Sequence, residues 1–241
     1  MLALLLSTAM LAACVPVQAP PTAPAPVAAP ALPAYTNPVF NQDFPDPFVL
    51  PVAGDGYYAY STNSAGRNIQ VIHSPDLFTW ERAGEEGDAL PVLPPWAEAN
   101  ASLTWAPSVL QRDNEFILYY VTRYQESGRQ CISYAVSDSP AGPFVDANDG
   151  PFICQLDEGG SIDPEPFIDA DGSLYLLWKS DANALEQDPW LYSQRLSDDG
   201  RTLLGELAQL ITRDQEWERP LVENPSLVLQ DGVYYLIYSA N

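Results

Sequence analysis

The sequence predicts an all-β protein whose short strands repeat radially, which is a β-propeller. Two observations support this class. A proline followed by a small or aromatic residue and an apolar residue recurs, almost equally spaced, at Pro47, Pro107, Pro166 and Pro225. No long segment shows the 3.6-residue hydrophobic period of an amphipathic helix. A fixed period of about 59 residues, built of strands and turns, is typical of propeller blades of about four strands. A β-sandwich, the alternative, would not explain this regularity.

Each repeat proline is followed by a polar turn and then by an aromatic strand. The turns lie at 54–56, 112–114, 169–172 and 230–232, and the strands at 57–60, 116–120, 174–178 and 234–238. Asp-Gly and similar pairs between two strand-like runs predict β-hairpins. Further short strands such as 69–72 and 132–136 lie between the hairpins, so each repeat has room for one sheet.

Three repeats are complete, and the fourth, which starts at Pro225, is cut short at Asn241. The segment from Pro225 to Asn241 is long enough for two strands. Because a radial fold protects its strand edges by closing a ring, we expect a propeller truncated to about three and a half blades.

The N-terminal segment, 1–34, is expected to direct export and not to be part of the folded domain. Residues 1–14 resemble a lipoprotein-type signal peptide: an apolar run, too short to span a bilayer as a mature helix, ends in Leu-Ala-Ala-Cys at Cys14. An ordinary signal peptide is the alternative. Residues 15–34 hold seven Pro and seven Ala and predict a semi-rigid linker, which leaves 35–241 as the folded domain. We therefore expect an exported protein, either a cell-surface lipoprotein or secreted, with only a lipid anchor in the membrane.

The composition excludes two classes. With 32 Asp and Glu against 10 Lys and Arg, the net charge is −22, which argues against a nucleic-acid partner and suits a neutral ligand. Apolar residues at 46% and aromatic residues at 11% exclude disorder as the main state. We expect a monomer.

Cysteine usage agrees with export. If Cys14 carries the lipid, Cys131 and Cys154 remain, and they are either a disulfide or two buried thiols. A zinc site is not expected, because the chain has one His and no closely spaced Cys.

Carboxylates precede three of the four repeat prolines. Asp46, Asp163 and Glu223 lie where the innermost strand of each blade enters the central channel, so radial symmetry would bring them together. Clustered carboxylates repel, which predicts a raised pKa for at least one. An acid beside a base is what glycosidic bond cleavage requires. Alternatively, each carboxylate accepts hydrogen bonds from backbone amides at a turn or strand start.

These positions lie in motifs that resemble glycoside hydrolase family 43. The motifs are Phe-Pro-Asp-Pro at 44–47, Trp-Ala-Pro at 105–107, Ser-Ile-Asp-Pro at 161–164 and Val-Glu-Asn-Pro at 222–225, with flanking signatures at 74–80, 137–144 and 232–239. The resemblance runs in order through the whole folded part. It implies a five-bladed propeller that hydrolyses glycosidic bonds of arabinose- and xylose-containing plant polysaccharides or oligosaccharides, as an arabinofuranosidase, arabinanase or xylosidase.

The resemblance also implies a role for each residue. Asp46 would be the general base that activates water, Glu223 the general acid, and Asp163 the residue that orients the acid and tunes its pKa. The reaction would invert the anomeric configuration. Trp105 is either a core aromatic residue or a wall on which a sugar stacks, and Phe44 is a weaker candidate of the same kind. We interpret Glu165 as a peripheral polar contact.

We expect no cofactor and no metal ligands. The family commonly places a His of its last blade beside a metal ion or water on the channel axis, so calcium is considered only for a complete protein. A non-catalytic carbohydrate-binding propeller is the alternative function.

Overall fold

A computed structural model describes residues 35–99 and 103–240, so the predicted signal peptide and linker lie outside the described residues. Thirteen strands form four antiparallel sheets, in each of which hydrogen-bonded neighbours follow the chain order. The first sheet has β1 (Phe48–Val52), β2 (Gly56–Ser61), β3 (Gln70–Ser74) and β4 (Glu81–Arg82). The second has β5 (Trp105–Arg112), β6 (Glu115–Tyr124) and β7 (Arg129–Ser137). The third has β8 (Ser161–Ile168), β9 (Leu174–Ser180), β10 (Trp190–Leu196) and β11 (Leu203–Thr212). The fourth has β12 (Val222–Gln230) and β13 (Val233–Ala240).

Helical structure in the described ranges consists of three short 3₁₀ segments, Leu156–Glu158, Ala182–Leu185 and Glu216–Glu218. The all-β prediction is confirmed. None of the helices in these ranges has the length and apolar character needed to cross a membrane.

The first strand of each sheet contacts the first strand of the next: β1 contacts β5, β5 contacts β8, and β8 contacts β12. This is the radial arrangement that the repeat predicts. The four predicted hairpins are present as β1–β2, β5–β6, β8–β9 and β12–β13.

Two apolar cores lie between successive sheets, and β6 belongs to both. Phe116, Leu118 and Tyr120 pack into the core shared with the first sheet, whereas Ile117, Tyr119 and Val121 pack into the core shared with the third. Successive side chains of a strand point to opposite faces, so a strand buried on both faces is apolar throughout. That explains the run of apolar residues in β6.

The repeat register differs from the sequence spacing in the third sheet. Each of β5, β8 and β12 contains a bulge in which the pairing skips two residues, and the second of them is Pro107, Pro164 and Pro225 respectively. The equivalent of Pro107 is therefore Pro164, and the alignment on Pro166 was wrong by two residues. A bulge places two residues of one strand opposite one residue of its partner, so its position is seen in the strand pairing and not in the spacing of the prolines.

Cys131 and Cys154 form a disulfide, with Cα atoms 4.8 Å apart. This resolves the two alternatives left by the sequence. The bond joins β7 to the segment before β8.

Exposed apolar side chains occur on the fourth sheet: Val228, Val233, Tyr235 and Ile237.

Candidate active site

Three carboxylates from three different sheets line one pocket of about 450 Å³. Asp46 precedes β1, Asp163 lies in the bulge of β8, and Glu223 is the second residue of β12. They are far apart in sequence and meet because the first strands lie side by side. The structure therefore brings together the three predicted catalytic residues, and their chemical roles stay a prediction.

An unusual backbone conformation recurs around this pocket. Asp46, Ala106, Asp163 and Asn224 have φ values of 49°, 42°, 57° and 52°, and each precedes a proline. Non-glycine residues rarely adopt this left-handed region, and such residues cluster at functional sites. Asp46 and Asp163 occupy the left-handed position itself. Glu223 lies one residue before it, because Asn224 occupies that position in β12.

Asp46 is exposed to solvent and held on one side. The Thr62 hydroxyl at the end of β2 donates to Asp46 Oδ2 at 2.5 Å, and the backbone N–H of Ala106 donates to the Thr62 hydroxyl at 2.9 Å. The chain of hydrogen bonds links the first sheet to the second. It fixes the orientation of a carboxylate that remains open to water.

Asp163 has the raised pKa expected for at least one of the carboxylates, although burial rather than repulsion between carboxylates is its main cause. Burial raises the pKa of Asp163 to about 6, and the nearby charges of Glu223 and Asp46 add to this effect. The Lys179 ammonium and the backbone N–H of Asn224, which donates to Asp163 Oδ2 at 3.0 Å, oppose it. Burial is the largest cause of the shift. Because the pKa is about 6, the Asp163 carboxyl group keeps its proton to a higher pH than an ordinary aspartate does.

Glu223 forms an ion pair with Lys179, whose Nζ lies 3.4 Å from Glu223 Oε2. The glutamate side chain is 36% exposed, whereas the lysine side chain is 1% exposed. The carboxyl group of Glu223 therefore has a buried cation on one side and solvent on the other.

An adjoining pocket of about 540 Å³ shares Asp46, Ala106, Asp163 and Asn224 with the first and is also lined by Glu165. Burial raises the pKa of Glu165 to about 7, and a hydrogen bond from the Ser226 hydroxyl at 3.3 Å opposes this shift. Glu165 is therefore more buried than the peripheral contact we expected.

The two predicted aromatic walls differ in position. Trp105 is half-buried, lines the first pocket and packs against the core between the second and third sheets. Trp105 therefore contacts the core and also forms part of the pocket wall, and its stacking on a sugar stays a prediction. Phe44 packs edge-on against Phe40, with ring centroids 5.4 Å apart, and is not among the residues that line the pocket. A sugar contact by Phe44 stays a prediction.

Sequence reasoning missed five polar residues that line the same pocket: Thr62, Lys179, Asp181, Asn183 and Asn224. One signal was present, because Lys179 is the only lysine in the chain.

Within 35–99 and 103–240, no group of three or more His, Cys, Asp or Glu side chains could hold a metal ion.

The chain is similar to known proteins in sequence and in fold. Residues 35–241 match the profile of the family Glycosyl hydrolases family 43. The chain is 27% identical over 209 residues to a "Xylosidase/arabinosidase" of Butyrivibrio fibrisolvens, covering 84% of this chain and 38% of that protein. It is 29% identical over 163 residues to an "Extracellular endo-alpha-(1->5)-L-arabinanase" of Thermotoga petrophila, covering 56% of this chain and 33% of that protein.

Solved structures show the same fold. A thermostable family-43 glycoside hydrolase superposes with a TM-score of 0.74 at 31% identity, over 86% of this chain and 67% of that one. An endo-1,4-beta-xylanase from Bacteroides thetaiotaomicron superposes with a TM-score of 0.66 at 33% identity, over 82% and 64% respectively. The chain thus spans less than two-fifths of the length of the two curated relatives. The match across the whole folded region shows that the chain belongs to glycosyl hydrolase family 43.

Proposed function

We propose that this protein hydrolyses O-glycosidic bonds in arabinose- or xylose-containing plant polysaccharides or oligosaccharides. One observation carries the proposal: Asp46, Asp163 and Glu223, from three sheets, line a single pocket. The relatives support the substrate class, since they include proteins named as xylosidases, arabinosidases and arabinanases.

The proposed mechanism is inversion by two carboxyl groups. Asp46 is the general base, because it is open to water and the Thr62 hydroxyl holds one of its oxygens, which leaves the other to accept a proton. Glu223 is the general acid that protonates the leaving oxygen. An inverting pair encloses the attacking water across a gap of roughly 6.5–9.5 Å.

Asp163 modulates this pair rather than reacting. Its carboxyl group accepts the Asn224 backbone N–H beside Glu223, and its charge interacts with both Glu223 and Asp46. A change in its protonation near pH 6 would alter the field at both reacting groups. Trp105 on the pocket wall offers an aromatic face to a sugar ring.

We further propose that the protein is exported, as a cell-surface lipoprotein or a secreted monomer, and that it binds no nucleic acid. The Cys131–Cys154 disulfide supports an oxidising compartment. The acid–base chemistry needs only carboxyl groups and water, so we propose a reaction that uses no cofactor.

The test is release of 4-nitrophenol from its α-L-arabinofuranoside and β-D-xyloside, together with the anomeric form of the first product by NMR. We expect Asp46→Ala and Glu223→Ala each to reduce kcat/KM by at least about a thousandfold, because each removes a proton-transfer group. Unchanged rates in both variants would remove these residues from the mechanism. Sugar binding without turnover by the unaltered protein would favour the carbohydrate-binding alternative.

A further inference from the structure

The only lysine of the chain is buried beside the predicted catalytic carboxylates. Lys179 lies on β9, opposite Ile162 of β8, and lines the same pocket as Asp163 and Glu223. All nine other cationic residues that carry a permanent charge are arginines. A single ammonium group in a chain of net charge −22 is thus placed inside the candidate site.

The Lys179 ammonium group has hydrogen-bonding capacity that the described protein leaves unused. An ammonium has three N–H donors. Among residues 35–99 and 103–240 its hydrogen bonding consists of one contact, to Glu223 Oε2 at 3.4 Å. A charge-assisted N–H···O bond is usually about 2.7–2.9 Å long, so this contact is a long one. Since the side chain is 1% exposed, the remaining donors require acceptors inside the pocket.

A second polar group stands next to this lysine. Asp181, two residues further along the chain, also lines the pocket and is half-buried. Burial raises the pKa of Asp181, and the charge of Lys179 opposes that shift, so the two groups are within electrostatic reach. The pair offers N–H donors and a carboxylate acceptor on one wall.

The chemistry of this wall selects a class of ligand. An anion would be repelled by the four carboxyl groups that line the pocket, those of Asp46, Asp163, Asp181 and Glu223. A neutral polyhydroxyl compound matches both partners, because each hydroxyl oxygen accepts from the ammonium and each hydroxyl hydrogen is donated to a carboxylate. We propose that Lys179 and Asp181 bind adjacent hydroxyl groups of a neutral pentose unit in this pocket. The inference rests on the proposed function only in requiring that the pocket binds a sugar, not that it hydrolyses one.

The single lysine makes the test direct. Labelling with lysine carrying ¹⁵N at Nζ gives one ammonium resonance, which we expect to shift on addition of xylobiose or arabinobiose. Binding is measured in an Asp46→Ala background, so that the disaccharide is not consumed. The shift should saturate at the Kd obtained by calorimetry.

Variants supply the second arm. Lys179→Met removes the donors but keeps a long apolar side chain, and we expect at least about tenfold weaker binding, because hydrogen bonds to charged groups are strong. Asp181→Asn should weaken binding as well. Arg112→Met is the matched control, since Arg112 is bonded to the Asp198 carbonyl at 3.0 Å and does not line the pocket. It should leave the Kd unchanged.

Two results would overturn the inference: a disaccharide that binds by calorimetry while the Lys179 resonance stays fixed, or the absence of binding by either disaccharide. The resonance is read in protein with its native lysine, so misfolding of Lys179→Met does not affect this conclusion. A shifted resonance in a protein that releases no 4-nitrophenol would refute hydrolysis and support the binding role.

Discussion

Replacing Asp163 by asparagine should stabilise the protein at neutral pH while impairing its proposed activity. The folded-state pKa of Asp163 is about 6, against an ordinary value of 3.8. Between these values the folded protein keeps a proton that the unfolded chain has lost, so the wild-type free energy of unfolding falls as pH rises from about 4 to about 6. Above that range the loss is complete, and below it there is none.

The magnitude follows from the two pKa values. A pKa difference of about 2 corresponds to about 3 kcal/mol, and partial solvent contact of the carboxyl group reduces this to about 2–3 kcal/mol. Asparagine has no charge to desolvate, and its side-chain oxygen can still accept the Asn224 backbone N–H. Asp163→Asn should therefore be about 2–3 kcal/mol more stable than wild type at pH 7–8 and equally stable at pH 4.

Urea denaturation followed by tryptophan fluorescence, at five pH values from 4 to 8, measures this difference. Asp76→Asn is the matched control with the opposite sign. Backbone N–H groups of Thr79 and Phe78 lower the pKa of Asp76, so its variant should lose stability at pH 7 and none at low pH. A constant difference between Asp163→Asn and wild type across the range would refute the argument from burial, as would a less stable variant at pH 8.

Three further predictions concern the scaffold and the base. Replacing Cys131 and Cys154 by serine should lower the free energy of unfolding by about 3 kcal/mol, by the chain-entropy relation for a loop of this length; urea denaturation with and without reductant measures it, and equal midpoints would disprove a stabilising bond. Gly160→Ala should destabilise by more than about 2 kcal/mol, because its φ is 128° and a Cβ would meet a backbone oxygen at 2.2 Å. The control Gly150→Ala, which meets nothing within 4 Å, should lose far less; similar losses would contradict the steric reasoning. Thr62→Val should reduce kcat/KM by roughly 10–100-fold through loss of the hydrogen bond to the proposed base, with recovery in Thr62→Ser, and full activity of the valine variant would exclude the role.

Local features of the fold were predictable because they depend on short-range patterns. The turns at 54–56 and 230–232 and the aromatic strands that follow them need only their own residues to form hairpins. The regular spacing of the repeat prolines indicated repeated sheets. The Phe-Pro-Asp-Pro and Val-Glu-Asn-Pro motifs resemble those of the family, and this resemblance indicated Asp46 and Glu223 as candidate catalytic residues. The spacing of the motifs gave no distance between the two side chains.

Other features depend on contacts between sheets. The sequence aligned Pro166 with Pro107, and the bulge in β8 makes Pro164 the equivalent residue. Whether Cys131 and Cys154 bond depends on how β7 packs beside the segment before β8, so composition left two answers.

Lys179 shows most clearly the difference between what the local sequence determines and what tertiary contacts determine. Along the chain it is one polar residue after the aromatic run of β9, and apart from its being the only lysine, nothing in the sequence distinguishes it from a surface residue. Only the packing of the third sheet against the fourth buries its ammonium group beside Glu223. The sequence by itself determined the strands, the repeat and the acidic candidates, because these follow from local periodicity and motif. The tertiary structure decided burial, ionisation and partners, because these depend on groups that are distant in sequence and adjacent in space.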